Sequence, residues 1–352
     1  MKKILITLVL VFSATQMFAQ REEYTREIKK EFSVNANAEL SITNKYGDVK
    51  IVEGNEGKII FTIKITGKDK NAKKAQEYAE KTDVNFTHKG NHVSANTIIQ
   101  TMNCNNCGIN VNYVVVVPRS TTMNFDVKYG NIILNNTAKP LNIDMKYGNI
   151  SANNIADAKI DIGYGKISMV QSGNLNLTVK YSNIAINKVG YLRLDSKYSN
   201  FAFGEILAIK SDFSKYDGFK IGVIDDFEIS TGYADVVIQK LNKTFVTENF
   251  KYCKLIIASV AEDFSKIKIN ASYTTVILGL NERHNFKANL KTEYGNIKYG
   301  NVRMTTTGIG AAAFTKTDKS SKHTTITGYA GKSSNPASKV EISTRYGDIV
   351  FK

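Results

Sequence analysis

One short phrase of sequence recurs ten times in the middle of the chain: an alternating strand, a tyrosine, a small turn residue and a second apolar strand. Successive tyrosines stand 17 to 21 residues apart. A short period sustained over so many units is typical of solenoids, whose units bury their apolar faces only by stacking on one another. The tyrosines that mark the units are Tyr129, Tyr147, Tyr164, Tyr181, Tyr198, Tyr216, Tyr233, Tyr252, Tyr273 and Tyr294.

The alternation within a unit predicts which side chains face inward. Leu192 and Leu194 occupy every second position, as in a half-buried strand, and Tyr198 continues the same parity. Lys197 has the opposite parity. The pattern therefore predicts a ladder of all ten tyrosines inside the core and an outward row of lysines that forms a candidate face for an anionic ligand. These lysines are Lys128, Lys146, Lys180, Lys197, Lys215 and Lys251.

The residues after the tyrosine are typical of a corner. Pairs such as Gly130-Asn131 and Ser199-Asn200 combine a small residue with asparagine, which tolerates positive φ and bonds locally to the backbone. Asparagines at equivalent corners can also bond from unit to unit. The sequence predicts an all-β fold, a single-stranded parallel β-helix of about 17–21 residues per coil with one short helix inserted near the N-terminus. A flat antiparallel array of hairpins is the alternative.

The first 19 residues have the pattern of a secretory signal peptide. Lys2 and Lys3 precede an apolar run at residues 4–12, and a small-residue cleavage site follows at Ala19. The run is too short for a permanent membrane span, and no later stretch approaches that length. We therefore expect an exported protein, periplasmic or at the cell surface, with no transmembrane segment.

The mature chain is predicted to be one β-solenoid domain over residues 20–352. Residues 20–128 form irregular N-terminal coils with a helical insertion at 71–81, residues 129–300 form the regular repeats, and residues 301–352 form an insertion and a C-terminal coil. The helix is expected to cover one end of the stack, because an open end would expose unpaired strand edges. A separate N-terminal β domain ending near Pro118 is the alternative.

The charge of the mature chain favours anionic partners. Without Lys2 and Lys3, 45 Lys and Arg stand against 32 Asp and Glu, a net charge of +13. Expected partners are an anionic glycan, lipopolysaccharide or an envelope protein. An exported protein rarely meets nucleic acid, and none is expected. The alternative is that the lysines only keep the sheet soluble and its edges unpaired.

Cysteine usage points to structure more than to redox chemistry. Cys104 and Cys107 are a candidate disulfide in an oxidising compartment. A zinc site that adds His88 and His92 is the alternative. Cys253 lies at a corner of a repeat, where a small residue suffices.

Several Tyr-Gly-Asn/Asp-Ile/Val phrases give the chain a family resemblance. They stand at 46–49, 129–132, 147–150, 294–297 and 346–349. Together with the leader and the helix after an early strand, they resemble the putative-adhesin β-strand-repeat family of exported bacterial proteins, a domain of unknown function related to the head GIN domain adhesins. The resemblance implies a parallel β-helix and carries over no catalytic residue.

These features favour a non-enzymatic binding or adhesion scaffold of the cell envelope, with no cofactor and no metal. The alternative is a polysaccharide-acting enzyme, which would need carboxylates that converge on one groove. Asp225 and Asp226 are the adjacent acidic pair within the repeats, but consecutive strand residues face opposite ways. The tyrosines have a second interpretation too, as a platform on which sugar rings stack.

Overall fold

The structure, a computed structural model, describes residues 21–55, 57–100, 108–302, 304–305, 322–333 and 335–352. The predicted leader and the Cys104–Cys107 pair lie outside these residues. Within them the chain is all-β with one helix, as the alternating sequence predicts. No helix of this part of the chain is long and apolar enough to cross a membrane.

Seven strands and the helix form the N-terminal part of the described chain. The strands are β1 (Glu22–Ser33), β2 (Glu39–Lys45), β3 (Val49–Gly54), β4 (Lys58–Asp69), β5 (Thr82–Lys89), β6 (His92–Ile99) and β7 (Gly108–Pro118), and helix α1 is Ala72–Glu80. Asn71 caps the helix by accepting a hydrogen bond from the Lys74 N–H, and Ala75, Tyr78 and Ala79 form its buried face. The helix predicted at 71–81 is confirmed.

The repeats follow. In the first of them each repeat forms two short strands, and from β15 to β18 two consecutive short strands are continuous and form one longer strand. The strands are β8 (Thr122–Lys128), β9 (Ile132–Asn136), β10 (Leu141–Lys146), β11 (Asn149–Ile155), β12 (Ala158–Gly163), β13 (Lys166–Ser172), β14 (Leu175–Lys180), β15 (Asn183–Lys197), β16 (Asn200–Lys215), β17 (Gly218–Gly232), β18 (Asp235–Lys251), β19 (Lys254–Val260), β20 (Lys266–Ser272) and β21 (Thr275–Leu278). The last strands are β22 (Phe286–Glu293), β23 (Ile297–Lys298), β24 (Met304–Thr305), β25 (His323–Ala330), β26 (Ser338–Arg345) and β27 (Ile349–Phe351).

Each repeat contributes one strand to each of two parallel ladders. The strand before the tyrosine pairs with the strand before the next tyrosine, as β10 does with β8 and β12. The strand after the tyrosine pairs likewise, as β11 does with β9 and β13. Equivalent residues are in register, so Ile150 lies between Ile132 and Ile167. The flat antiparallel array is therefore wrong for the repeats.

The core lies between the two ladders and combines aliphatic side chains with phenylalanines such as Phe201 and Phe219. In β10, Leu141, Ile143 and Met145 are buried, and the residues between them are exposed. In the second ladder Ile150 and its register partners are buried in the same way. Because every repeat places the same parity inward, side chains of one unit pack directly on those of the next, which is how short units share one continuous core.

At the N-terminal end, the first unit of the chain is not the outermost one. Strand β2 lies between β6 and β8, and β3 lies between β7 and β9. Beyond β6 and β7 the pairing becomes antiparallel, with β5 on β6, β4 on β7 and β1 on β4. Helix α1 packs on β4 and β1. These antiparallel strands and the helix cover the edges on which further parallel strands could add.

The C-terminal end has the same arrangement. Strand β26 lies between β20 and β22, and β27 lies between β21 and β23. The C-terminal segment therefore occupies the second-last place in the stack, between two units that precede it in the chain. Strand β25 then pairs antiparallel with the outer edge of β22.

Where glycine follows the tyrosine, the inner corner has very little room. A Cβ built on Gly148 would overlap the carbonyl oxygen of Gly130, the equivalent residue of the preceding unit, and Gly130 and Gly165 meet the same obstacle. Glycine is therefore required here by the close approach of successive backbones. By contrast, Gly163 has open space where its Cβ would stand.

We predict that Gly148→Ala destabilises the protein by about 1–3 kcal/mol, because the added methyl group forces two stacked backbones apart. Gly163→Ala is the matched control, one repeat away and on the outer surface, and should change the free energy of unfolding by less than about 0.5 kcal/mol. Denaturant unfolding of both variants measures the difference. Equal stability of the two variants would contradict the tight inner corner.

Candidate functional site

The tyrosines of successive repeats form one continuous column. Each ring stacks on the next, with centroids 4.7–5.2 Å apart and planes within 22° of parallel. In the described part of the chain the column contains twelve rings. In spatial order they are Tyr46, Tyr129, Tyr147, Tyr164, Tyr181, Tyr198, Tyr216, Tyr233, Tyr252, Tyr273, Tyr346 and Tyr294.

The column lies on the surface, and the predicted core position of the tyrosines is wrong. Their side chains are 38–52% exposed. The reason is backbone geometry, since every column tyrosine adopts a left-handed conformation with φ between 51° and 62°. This turn interrupts the alternation: Lys180 and Tyr181 are both exposed, and Ser182 is the residue that turns inward. Parity therefore predicts the wrong side for the tyrosines, because the backbone is not extended at these residues.

A left-handed tyrosine carries a steric cost that the stack offsets. For a residue with a Cβ the cost is about 1–2 kcal/mol, whereas a stacked aromatic pair contributes about 0.5–1.5 kcal/mol beyond the area it buries. The ladder hydrogen bonds also continue through the corner, with the Tyr147 N–H donating to the Gly163 carbonyl at 3.0 Å. The steric cost of the left-handed tyrosine and the free energy gained from stacking are thus of similar size.

Small side chains behind the column link successive inner corners. The Gly165 N–H donates to Ser182 Oγ at 3.0 Å, the Ser182 N–H to Ser199 Oγ at 3.3 Å, and the Ser199 N–H to Asp217 Oδ1 at 2.8 Å. In later units, the Ala234 N–H donates a hydrogen bond to Cys253 Sγ at 3.3 Å. Cys253 is buried and packs in this corner, and burial raises the pKa of its thiol to about 11.

On one side of the tyrosines the predicted asparagine ladder exists in part. The Asn149 amide donates to Asn131 Oδ1 at 2.9 Å, and the Asn200 amide donates to Asn183 Oδ1 at 3.2 Å. Lys166 lies between these two pairs in the register and interrupts the ladder.

On the other side lies a column of lysines. The six lysines predicted from the sequence occupy equivalent positions on their strands. Lys128 is the register partner of Lys146. Lys197 lies between Lys180 and Lys215 on neighbouring strands. Gly163 and Gly232 fill the two places where this run has no lysine. The lysine column is thus the set Lys45, Lys128, Lys146, Lys180, Lys197, Lys215 and Lys251.

The lysine and tyrosine columns form one surface. Lys197 Nζ lies 5.0 Å from the centroid of the Tyr198 ring, and Lys215 Nζ lies 5.1 Å and 5.9 Å from the rings of Tyr216 and Tyr233. Such distances allow cation–π attraction. We call this surface the lysine–tyrosine band.

A row of carboxylates runs beyond the lysines. Asp126, Asp144, Asp161 and Asp195 stand two residues before the column position, on the same outward face. Lys128 Nζ lies 3.6 Å from Asp126 Oδ1. In the units of Tyr129, Tyr147, Tyr164 and Tyr198 the positive field of the band is therefore bounded on this side by negative charge, whereas Thr178 takes the equivalent place before Lys180.

The ladder of ten tyrosines predicted from the sequence leaves out Tyr46 and Tyr346. Lys45 and Tyr46 extend the band at the N-terminal end, and Arg345 and Tyr346 enter it between Tyr273 and Tyr294. The phrases at 46–49 and 346–349 carry this signal, but their distance in the chain from the regular repeats conceals their place in the column.

The remaining candidate residues do not converge. Asp225 is held by the Asn242 amide at 2.8 Å and by Lys243 at 2.9 Å, whereas Asp226 accepts a separate hydrogen bond from Thr244. His92 Nδ1 lies 3.1 Å from Glu39 Oε2. Among the described residues, no three metal-ligating side chains cluster, and the cysteines of the alternative zinc site lie outside them.

Comparisons with known proteins find similarity only among solved structures. No protein-family model matches, and no curated protein matches. A putative cell adhesion protein from Clostridium sporogenes is 9% identical, with 93% of this chain and 99% of that chain covered and a TM-score of 0.19. A putative lipid binding protein from Parabacteroides distasonis is 9% identical, with 72% and 94% covered and a TM-score of 0.33. A putative adhesin from Bacteroides fragilis is 11% identical, with 71% and 92% covered and a TM-score of 0.27.

Asp217 gives the inner corner a predicted pH dependence. Burial raises the pKa of its carboxyl above 3.8, although Ser214 and Ser196 donate hydrogen bonds to it. The folded state thus binds this proton more tightly than the unfolded chain does, so the stability that Asp217 contributes falls as pH rises from about 3.8 through the folded pKa. As pH rises through this window, the free energy of unfolding of the wild type should fall relative to that of Asp217→Ser. Denaturant unfolding of both proteins across the acid range measures it.

Asp225→Asn is the control with the opposite sign. The hydrogen bond from Asn242, followed by that from Lys243, lowers the pKa of Asp225. Its contribution should therefore be present above about 3.8 and be lost as pH falls through the folded pKa. If the two variants show the same pH trend, the assignment of Asp217 is wrong.

Proposed function

We propose that this protein is an exported, non-enzymatic scaffold of the cell envelope or cell surface that binds an anionic polymer along the lysine–tyrosine band. The two parallel ladders support a further proposal, that the repeats wind as a parallel β-solenoid whose coils hold the same residue at the same place. The leader pattern at residues 1–19 supports export.

The single observation that carries the proposal is the alignment of the lysines. Residues spread over more than 200 positions of sequence lie side by side on neighbouring strands, and neighbouring parallel strands are about 4.8 Å apart. Like charges so close repel one another, and a bound polyanion relieves that repulsion. Lysines scattered for solubility alone would have no reason to share one register position.

Neutralising the column should weaken binding to acidic glycans and lipopolysaccharide. In the variant Lys146→Gln, Lys180→Gln, Lys197→Gln and Lys251→Gln we expect affinity to fall about ten- to a hundredfold at about 0.05 M salt, since each exposed charge contact contributes a few tenths of a kcal/mol to about 1 kcal/mol. At about 0.5 M salt the difference should nearly vanish because the charges are screened. Binding isotherms at both concentrations measure this.

The matched control removes four exposed lysines outside the column. They are Lys50, Lys220, Lys240 and Lys298, each changed to Gln. The control loses the same net charge, so it should retain most of the affinity. If both variants weaken equally, the column has no special role, and if the wild type shows no salt-sensitive binding, the proposed function is overturned.

Filling the gaps in the column should strengthen binding. Gly163 and Gly232 lie in register between lysines, and neither has an atom close enough to obstruct a side chain. Gly163→Lys with Gly232→Lys should raise affinity for an acidic glycan about three- to tenfold at low salt. Gly163→Gln with Gly232→Gln is the control for side-chain size. An equal gain in affinity from the Gln variant would contradict an electrostatic origin of the gain.

A further inference from the structure

The tyrosine column presents a surface of unusual regularity. Its rings repeat every 4.7–5.2 Å, are 38–52% exposed and run unbroken through the described repeats. At the spacing of neighbouring parallel strands the whole column is about 50 Å long. A ligand that uses all of it must be long and narrow.

Ten of the twelve rings cannot stack on a ligand, because a neighbouring tyrosine covers each of their two faces. Tyr46 and Tyr294, at the ends, have a tyrosine on one face only. Tyr181, for example, stacks between Tyr164 and Tyr198 at 4.9 Å on both sides. A nucleic-acid base recognised by stacking needs an open aromatic face, and so does a sugar ring that stacks. This geometry contradicts the interpretation of the column as a stacking platform. What the column offers along its length is ring edges and phenolic hydroxyls, which donate and accept hydrogen bonds.

The corner itself does not explain the choice of tyrosine. Glycine adopts the left-handed conformation without steric cost, and asparagine tolerates it well. A strained conformation repeated at every equivalent position is a reason to look for a role of the side chain. The exposed hydroxyl edge is the part of that side chain that packing does not use.

The charges beside the tyrosines define how wide the ligand can be. Lysines flank the rings, and the row of Asp126, Asp144, Asp161 and Asp195 lies beyond the lysines. A broad anionic surface such as a lipid headgroup layer would be pressed against these carboxylates and repelled. A single anionic chain that lies over the lysines and tyrosines avoids them.

We propose that the lysine–tyrosine band binds one extended linear acidic polysaccharide, whose carboxylates pair with the lysines and whose hydroxyl groups hydrogen-bond to the tyrosine hydroxyls. The inference rests on the proposed function and identifies the ligand class and the contact residues. Because every unit repeats the same contacts, affinity rises with the number of sugar residues until the chain spans the column.

The test measures binding of galacturonate oligomers, as a linear polyuronate probe, to the full mature protein. A chain of about twelve residues should bind at least about tenfold more tightly than one of about four. In the variant Tyr164→Phe, Tyr181→Phe, Tyr198→Phe and Tyr216→Phe the stacked rings remain and four hydroxyls are lost. We expect its Kd for the longer oligomer to rise at least about tenfold, with the salt dependence of binding unchanged.

Tyr24→Phe with Tyr191→Phe is the control, because both side chains are exposed and lie outside the column. It should bind as the wild type does. Vesicles of phosphatidylglycerol should bind more weakly than the polyuronate at equal salt. Equal binding of short and long oligomers, an unchanged Kd in the four-tyrosine variant, or tighter binding to vesicles would each overturn the inference.

The failure of this inference can be distinguished from failure of the proposed function. If the lysine variant loses salt-sensitive binding of the polyuronate while the four-tyrosine variant binds normally, the lysines act without the tyrosines and only the inference is wrong. If wild-type protein binds neither the polyuronate nor lipopolysaccharide at low salt, both are wrong.

Discussion

In-register pairing of equivalent strands is the constraint on which the rest of the molecule depends. It places equivalent residues of the repeat on top of one another, so leucine and isoleucine share a core. Gly130, Gly148 and Gly165 share a corner too narrow for a methyl group, whereas later units hold small side chains such as Ser182 and Ser199 at this position. The same repetition brings tyrosine onto tyrosine and lysine beside lysine. Core stability and the character of the surface thus have one origin. A change that breaks the register in one unit disturbs both.

The corner shows how a local backbone conformation controls a whole surface. Without the left-handed turn at Tyr147, alternation would continue and the rings would enter the core. With it, two consecutive residues, Lys146 and Tyr147, face outward, and Gly148 turns inward. A cationic column and an aromatic column therefore lie next to each other with nothing between them. This adjacency gives the band its combination of positive charge and phenolic hydroxyls.

Much of the fold follows from the sequence, and the errors have specific causes. Alternation identifies the strands and the inward aliphatic residues such as Leu141 and Ile143, and a helical pattern identifies α1. Parity fails at the tyrosines because a backbone angle resets it, and no residue-type preference signals a left-handed tyrosine. Sequence order also does not show that β2 and β26 take second-last positions, because that depends on contacts between segments distant in the chain.

The placement of both terminal units one step inside the stack has a consequence for how such a chain can change in length. A new repeat added after residue 352 could not pair next to β27, since β27 already has a parallel neighbour on each side. A repeat duplicated between β10 and β14 would find a parallel strand to pair with on each side, as β12 does now. The interior of the stack can therefore accept an added repeat, whereas β2 and β27 already have parallel neighbours on both sides. The number of interior repeats thus sets the length of the tyrosine and lysine columns.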